Sequence, residues 1–486
     1  MNFSSSLTYV DLLDTKIRGN LPSNVFYLLN MQILSLGGNE NLSVSLPKVN
    51  CSISDSLRQL NLFNTNFSAA LPDLKGCAVS LNSLNLGSCQ ISGVIPESIC
   101  NLTQLTELHL GDNLLAGEIL NSLRNLRHLE SLDLSSNLLM GEIKDFKSRS
   151  LSMILLNNNQ LSGSIPPSIF TLPNLSFLDL SANHFIGVEQ DLLVDFNKLQ
   201  NNAFNGEAAW NTTNNMNIPY PNLGFLGLSS CQIKEFPEFL RNSESLSYLD
   251  LSSNMIHGEI PGWFLSKTWD ILVYLNLSHN FLIGIVDQIL VTPSIAYLDM
   301  SSNSLQVQIP SSICESSLLT ILDLSNNNLS CPIHLCLGNS SRYLEIMDLG
   351  NNRLFGTIPT TFSKGNSLRF LVLNDNQLQG PLPRSLAHCE GLELLDLGNN
   401  KIDDKFPVWL ETLSYLKVLI LTSNRFHGAI GNCQTKSPFP RLRIIDASHN
   451  ELTGALPEEI LSNFKAMKSS KHQQKEFQYM KLTFIN

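Results

Sequence analysis

"LSYLDLSSNMIHGEIP", residues Leu246–Pro261, decides the fold of this chain. Its first half alternates polar and apolar side chains with a period of two, so Leu249 and Leu251 face one way and Tyr248 and Asp250 the other. Asn254 follows where the chain bends. A carboxamide turned inward there offers donors and an acceptor to backbone groups that burial would leave unpaired. Gly258 leaves the turn and Pro261 fixes φ for the segment behind it. The template LxxLxLxxNxLxGxIP opens at Leu7, Met31, Leu57, Leu81, Leu105, Leu129, Leu151, Leu175, Leu223, Leu246, Leu272, Ile295, Leu319, Leu344, Leu368, Leu392, Leu416 and Leu442, with a spacing that clusters at 24 residues. No single copy can bury its own leucines, so each acquires a core only by stacking on its neighbours.

Eighteen registered copies predict a leucine-rich-repeat solenoid of the α/β class. The expected form is a right-handed superhelix with short parallel strands on the concave face and turns and 3-10 segments on the convex face. Residues 1–462 make up the array. Thr15, Thr65, Cys89 and Cys231 stand on the asparagine rung and keep one donor, a weaker one for cysteine. One interval breaks the pattern: Leu175 and Leu223 lie 48 residues apart, yet 198–222 contains no LxxLxL. Either the chain loops out or the residues of one strand are missing. A degenerate coil over 198–222, mobile near Ala208–Asn217, is the expectation. The segment 463–486, "NFKAMKSSKHQQKEFQYMKLTFIN", is basic and lies outside the repeat.

A net charge of −11 with only 15% charged residues excludes the clustered Lys and Arg that neutralise nucleic-acid phosphates. No run approaches the roughly 18 to 20 apolar residues that span a bilayer. The amino terminus lacks the basic start and apolar stretch of a secretory signal, so membrane anchoring is expected only through segments absent from this sequence. Of the N-x-S/T sequons, Asn41, Asn66, Asn101, Asn174, Asn211, Asn276, Asn328 and Asn339 are candidate glycosylation sites. Ten cysteines follow no small-domain disulfide spacing, and their connectivity is not readable from sequence.

Catalytic patterns are missing: there is no GxSxG, HExxH, P-loop or dinucleotide fingerprint, and no enzyme activity or cofactor is expected. "CPIHLC", Cys331–Cys336, has no second Cys/His pair at zinc spacing, which leaves a local disulfide or ordinary thiols. Alternation directs Asp11, Asp133, Asp179, Asp250, Asp299, Asp323, Asp348, Asp396 and Asp446 to the concave face, either as a solvated strand surface or as an acidic strip for basic ligands. Two residues before each of these positions runs a column that is mostly polar early on (Gln59, Ser83, Glu107, Ser131). From Phe177 it turns aromatic or aliphatic: Phe225, Tyr248, Tyr274, Tyr297, Ile321, Ile346 and Phe370. Such a strip marks a contact surface or a cross-strand ladder that stiffens the sheet. The candidate ligand-binding residues are Phe225, Tyr248, Asp250, Tyr274, Tyr297, Asp299 and Phe370. Arg441 and Arg443 flank the repeat start at Leu442 and are out of register for a concave Arg-x-Arg pair.

Longer phrases narrow the reading. "SLAHCEGLELLDLGNNKIDDKFPVWLETLSYLKVLILTSNRFHGAIG" from Ser385, followed by "SPFPRLRIIDASHNELTGALPEEILSNFKAM" from Ser437, closely resembles the distal ectodomain of plant Cf-like receptor-like proteins. In that family a non-repeat island interrupts the array, and Asn463–Met467 with Tyr479 and Met480 is similar to its start. The resemblance implies extracellular recognition of a protein or peptide ligand at the plasma membrane, in defence, with signalling through a partner receptor kinase. It also implies a signal peptide, a cysteine-containing cap, a transmembrane helix and a short tail, none of which is expected in this chain. The alternatives are a soluble inhibitor of pathogen wall-degrading enzymes and a truncated, non-functional receptor fragment.

Overall fold

The computed structural model describes residues 6–45, 56–67, 71, 80–188, 223–267, 269–284, 293–309, 311–339, 342–431, 435 and 437–455. Two compact units divide the chain, Met1–Leu282 and Ile283–Asn486, and each is a stack of coils. Among the described residues of the first, eleven three-residue strands run from Tyr9–Asp11 to Tyr274–Asn276, and each described pairing is parallel and in register. Among those of the second, seven such strands run from Tyr297–Asp299 to Ile444–Asp446. The alternation read from the sequence holds: Leu249 and Leu251 are fully buried, while Tyr248 and Asp250 are only half-buried.

The asparagine rung works as an amide ladder. Asn254 Nδ2 donates to the carbonyls of Leu228 (2.8 Å), Leu251 (2.9 Å) and Ser252 (3.0 Å), and its Oδ1 accepts from the backbone N–H groups of Cys231 and Ile233, both at 3.0 Å. Asn113 repeats all five bonds, while Asn183, Asn376 and Asn424 make the same three donations and accept one backbone N–H each. Substitutes on the rung keep the donor alone, as Thr65 Oγ1 does toward Leu62 O (2.8 Å) and Cys89 Sγ toward the same carbonyl (3.0 Å).

The residue just before the rung is left-handed in coil after coil, with φ from 49° at Ser136 to 56° at Ser230 for the non-glycine residues. Asn, Asp and Ser predominate there because their short polar side chains tolerate this region; Ala182, at φ 52°, has no such compensation. After the rung, Ser92–Val94, Leu114–Glu118, Leu138–Glu142, Gln160–Ile165 and His184–Val188 form a second parallel sheet on the flank of the first unit. The template glycine is required at this point: Gly141 has φ 85°, and a Cβ there would lie 3.0 Å from Glu118 Cγ of the preceding coil.

Convex segments begin at prolines, as in the 3-10 helices Glu97–Asn101 after Pro96 and Glu238–Asn242 after Pro237. Among the described residues the helical part of the α/β class is mostly 3-10; one five-residue α-helix, Gly262–Ser266, is present. A repeat this short leaves about one turn for the back of the coil, too little to offset the cost of an α-helical nucleus. At the irregular interval, Phe177 pairs directly with Phe225 and Asp179 with Gly227, so no strand lies between them. The degenerate coil expected at 198–222 and the island at 463–486 lie outside the described residues.

Candidate functional site

In the first unit the aromatic column is a continuous face-to-face stack. Ring centroids are 3.9 Å apart for Phe177–Phe225, 4.0 Å for Phe225–Tyr248 and 4.0 Å for Tyr248–Tyr274, with interplanar angles of 7°, 12° and 8°. In-register parallel strands set this spacing, and each contact contributes about 0.5–1.5 kcal/mol beyond area burial. Stacking occupies the ring faces, so the ladder offers ring edges and hydroxyls to the concave side. Burial, the neighbouring Tyr274 and the charges of Asp250 and Asp179 raise the Tyr248 pKa, which keeps its hydroxyl protonated and a donor.

Each strand acid is also a turn cap. Asp250 Oδ1 accepts the Ser252 N–H at 2.8 Å, and Asp133, Asp179 and Asn276 bond Ser135, Ser181 and Ser278 in the same way at 3.0 Å. This Asx turn holds one oxygen and directs the other side-chain atom outward: a second oxygen for Asp, an NH2 donor for Asn. Asn-for-Asp exchange in this column therefore switches the concave surface from acceptor to donor. Burial raises the Asp179 pKa against its bonds to Ser181.

At the other end of the first unit the face is polar. A depression of about 320 Å³ is lined by Tyr9, Asp11, Ile33, Ser35, Gln59, Asn61, Ser83, Asn85, Glu107 and His109, with Leu34 and Leu60 beneath them. Ser83 Oγ donates to Glu107 Oε2 (2.7 Å), Tyr9 Oη to Asp11 Oδ2 (3.3 Å), and His109 Nε2 pairs with Ser131 Oγ at 2.8 Å. The polar run of residues at these positions is visible in the sequence; the depression they enclose is not.

The second unit carries the remaining candidates. Tyr297 Oη donates to Asp299 Oδ2 at 3.4 Å, and Asp299 Oδ1 accepts the Ser301 N–H at 2.9 Å. The Arg369 guanidinium lies 5.5 Å from the centre of the Phe370 ring and pairs with Glu345 (3.4 Å) and Glu393 (2.7 Å); Lys417 also bonds Glu393. Burial by itself would raise the Glu393 pKa, but the bonds from Lys417 and Arg369 outweigh it and hold the pKa low. Along the acid column, Asp299, Asp323 and Asp348 stand on consecutive paired strands. Burial first, and then Asp323, push Asp348 up to about 7 despite its bond from the Gly350 N–H. The Arg441 guanidinium lies 4.3 Å from the centre of the Tyr415 ring.

Two readings of the sequence need correction. Asn276 is 8% exposed, with Oδ1 bonded to the Ser278 N–H and Oγ, because it occupies the turn-capping strand position; a glycan there is incompatible with the packing. Asn41, Asn66, Asn101, Asn174 and Asn339 are exposed, Asn328 is half-buried, and Asn211 lies outside the described residues. Cys336 is joined to Cys314 of the preceding coil, with Cα atoms 5.8 Å apart, and not to Cys331. Cys331 points into the core, where its sulfur accepts the Ile309 N–H at 3.4 Å, while the two bonded cysteines sit on adjacent 3-10 segments.

Family models agree with this architecture: a leucine-rich repeat region matches residues 4–216, and further leucine-rich repeat models match 342–402 and 245–266, 294–316 and 318–340. The chain belongs to the leucine-rich-repeat family. Within it the likeness is to plant receptor-like proteins. Receptor-like protein 53 of Arabidopsis thaliana is 39% identical over 244 residues, which is 50% of this chain and 25% of the relative. Receptor-like protein 35 of the same plant is 33% identical over 292 residues, 57% of this chain and 30% of the relative. The matched stretch thus spans under a third of either relative. Among solved structures, the plant peptide hormone receptor RGFR1 in complex with RGF2 shares 26% identity and a TM-score of 0.73, covering 93% of this chain and 76% of that one. The PEPR1–AtPEP1 structure shares 27% identity and a TM-score of 0.75, covering 93% and 63%.

Proposed function

We propose that this chain is the ligand-recognising part of a plant cell-surface receptor-like protein, that it binds an extracellular peptide or protein on its concave surface, and that it signals in defence through a partner receptor kinase. It acts as a binder and not as an enzyme. The observation that carries the reading is the half-buried ridge of Phe177, Phe225, Tyr248 and Tyr274 beside the outward oxygens of Asp179 and Asp250. Apolar edges flanked by carboxylates suit a peptide that presents apolar side chains next to Lys or Arg. Tyr297, Asp299 and Phe370 supply contacts on the second unit by the same logic. Peptide complexes of RGFR1 and PEPR1, which share the fold, support a peptide as the ligand class. The Cys314–Cys336 disulfide supports maturation in an oxidising compartment, as cell-surface display requires.

The test is selection of a displayed library of secreted plant and microbial peptides against the folded chain. Peptides recovered by the wild type are then titrated against a Tyr248→Ser/Tyr274→Ser variant and a Tyr297→Ser variant. Loss of binding with an unchanged circular-dichroism spectrum is expected. Undiminished affinity in both variants sinks the proposed site.

A further inference from the structure

We infer that the polar depression in the first unit is a second binding site, for a neutral oligosaccharide. The inference is independent of the peptide reading, since it uses different residues and a different chemistry.

The lining excludes the other ligand classes one by one. No lysine or arginine lines the depression, while Asp11 and Glu107 do, so uronates, sulfates and phosphates are repelled. Of its apolar members, Leu34 and Leu60 are core leucines beneath the floor, and Ile33, half-buried between Tyr9 and Gln59, is the one aliphatic side chain on the face, so an apolar peptide finds little surface to cover. Both carboxylates already accept hydroxyl donors, Asp11 from Tyr9 and Glu107 from Ser83, which weakens their hold on a cation.

What remains is an alternating set of donors and acceptors. Asn61 Oδ1 accepts the Phe63 N–H and Asn85 Oδ1 the Gly87 N–H, each at 3.1 Å, so both amides are fixed by their own turns with NH2 outward. On the next strand Glu107 stands beside Ser83 and His109 beside Asn85, and both line the same depression. Sugar hydroxyls, which donate and accept at once, match such a surface better than any group of fixed polarity. Tyr9, 56% exposed, supplies an aromatic face at one edge for the C–H side of a pyranose. Paired strands repeat every ~4.8 Å, close to the length of one pyranose unit, so successive coils offer equivalent contacts to successive sugars. At about 320 Å³ the depression is within the range of small-ligand sites and holds a short segment of such a chain.

The experiment titrates the full chain with cellohexaose, xylohexaose and mannohexaose by calorimetry and by saturation-transfer NMR, with hexagalacturonate and hexalysine as charged controls. At least one neutral hexasaccharide is expected to saturate, with hexagalacturonate at least about tenfold weaker. The diagnostic variant is Asn61→Asp/Asn85→Asp, which keeps the turn-capping oxygen that Asp supplies elsewhere in the column but turns two outward donors into acceptors. It should fold normally and bind the hexasaccharide about tenfold more weakly, the loss expected from two modest hydrogen bonds. Three results overturn the inference: no saturation by any neutral hexasaccharide at millimolar concentration, undiminished binding by the double variant, or tighter binding of hexalysine than of every neutral sugar.

Discussion

Replacing Asn254 with Ala tests whether the amide ladder, and not the leucine stack alone, holds the coils together. The substitution removes five hydrogen bonds from one buried side chain. Leu251 O keeps a partner in Asn280 Nδ2 at 2.9 Å, so that carbonyl loses little. The Cys231 and Ile233 N–H groups lose the acceptor that serves both, in surroundings where those residues are 0% and 3% exposed. At about 1–3 kcal/mol for each orphaned buried polar group, the two N–H groups and the Leu228 carbonyl together cost about 3–9 kcal/mol. That is a large fraction of the stability of an ordinary domain. Asn254→Cys should fall between wild type and Ala, because a thiol on this rung still donates, as Cys231 does to Leu180 O at 3.5 Å. Repeat arrays need not unfold in one step, so the assay pairs urea denaturation with hydrogen exchange at the Cys231 and Ile233 amides. Unchanged protection at those amides, with an unfolding free energy within about 0.5 kcal/mol of wild type, would refute the reasoning.

Three further outcomes follow from particular residues. Asp348, held at about 7, binds a proton in the folded state that the unfolded chain releases near pH 4, so its contribution is full in acid and fades as pH rises toward 7. Wild type should therefore lose up to about 2 kcal/mol between pH 5.5 and 7.5, and Asp348→Asn, which keeps the turn acceptor, should flatten the Tm-against-pH curve over that window. Ala182→Gly relieves a left-handed alanine at φ 52° and should raise stability by about 0.5–1 kcal/mol in denaturant titrations. Non-reducing peptide mapping should recover a Cys314–Cys336 linked pair, and Cys314→Ser/Cys336→Ser should destabilise the second unit by about 3 kcal/mol, as expected for closing a loop of this length.

Leu246–Pro261 was enough to establish the repeat, because period-two alternation, an inward amide and a φ-fixing proline are local demands that each copy must meet by itself. Aromatic and polar columns were legible for the same reason: a residue's place in the template fixes its face. Three matters depended on which coils touch. Phe177 stacks on Phe225 across 48 residues of sequence only because their strands pair directly, a contact that irregular spacing hides. Cys336 takes Cys314 over the nearer Cys331 because depth in the coil, not distance along the chain, decides which sulfurs meet. The strand acids read as a solvent-facing strip, yet each bonds the backbone two residues on, and this turn settles whether a position shows a donor or an acceptor to a ligand. The sequence by itself determined the coil and the face of each residue, since these follow from local alternation. Tertiary structure decided which residues are neighbours and which of their atoms remain available, since stacking and hydrogen bonding between coils set both.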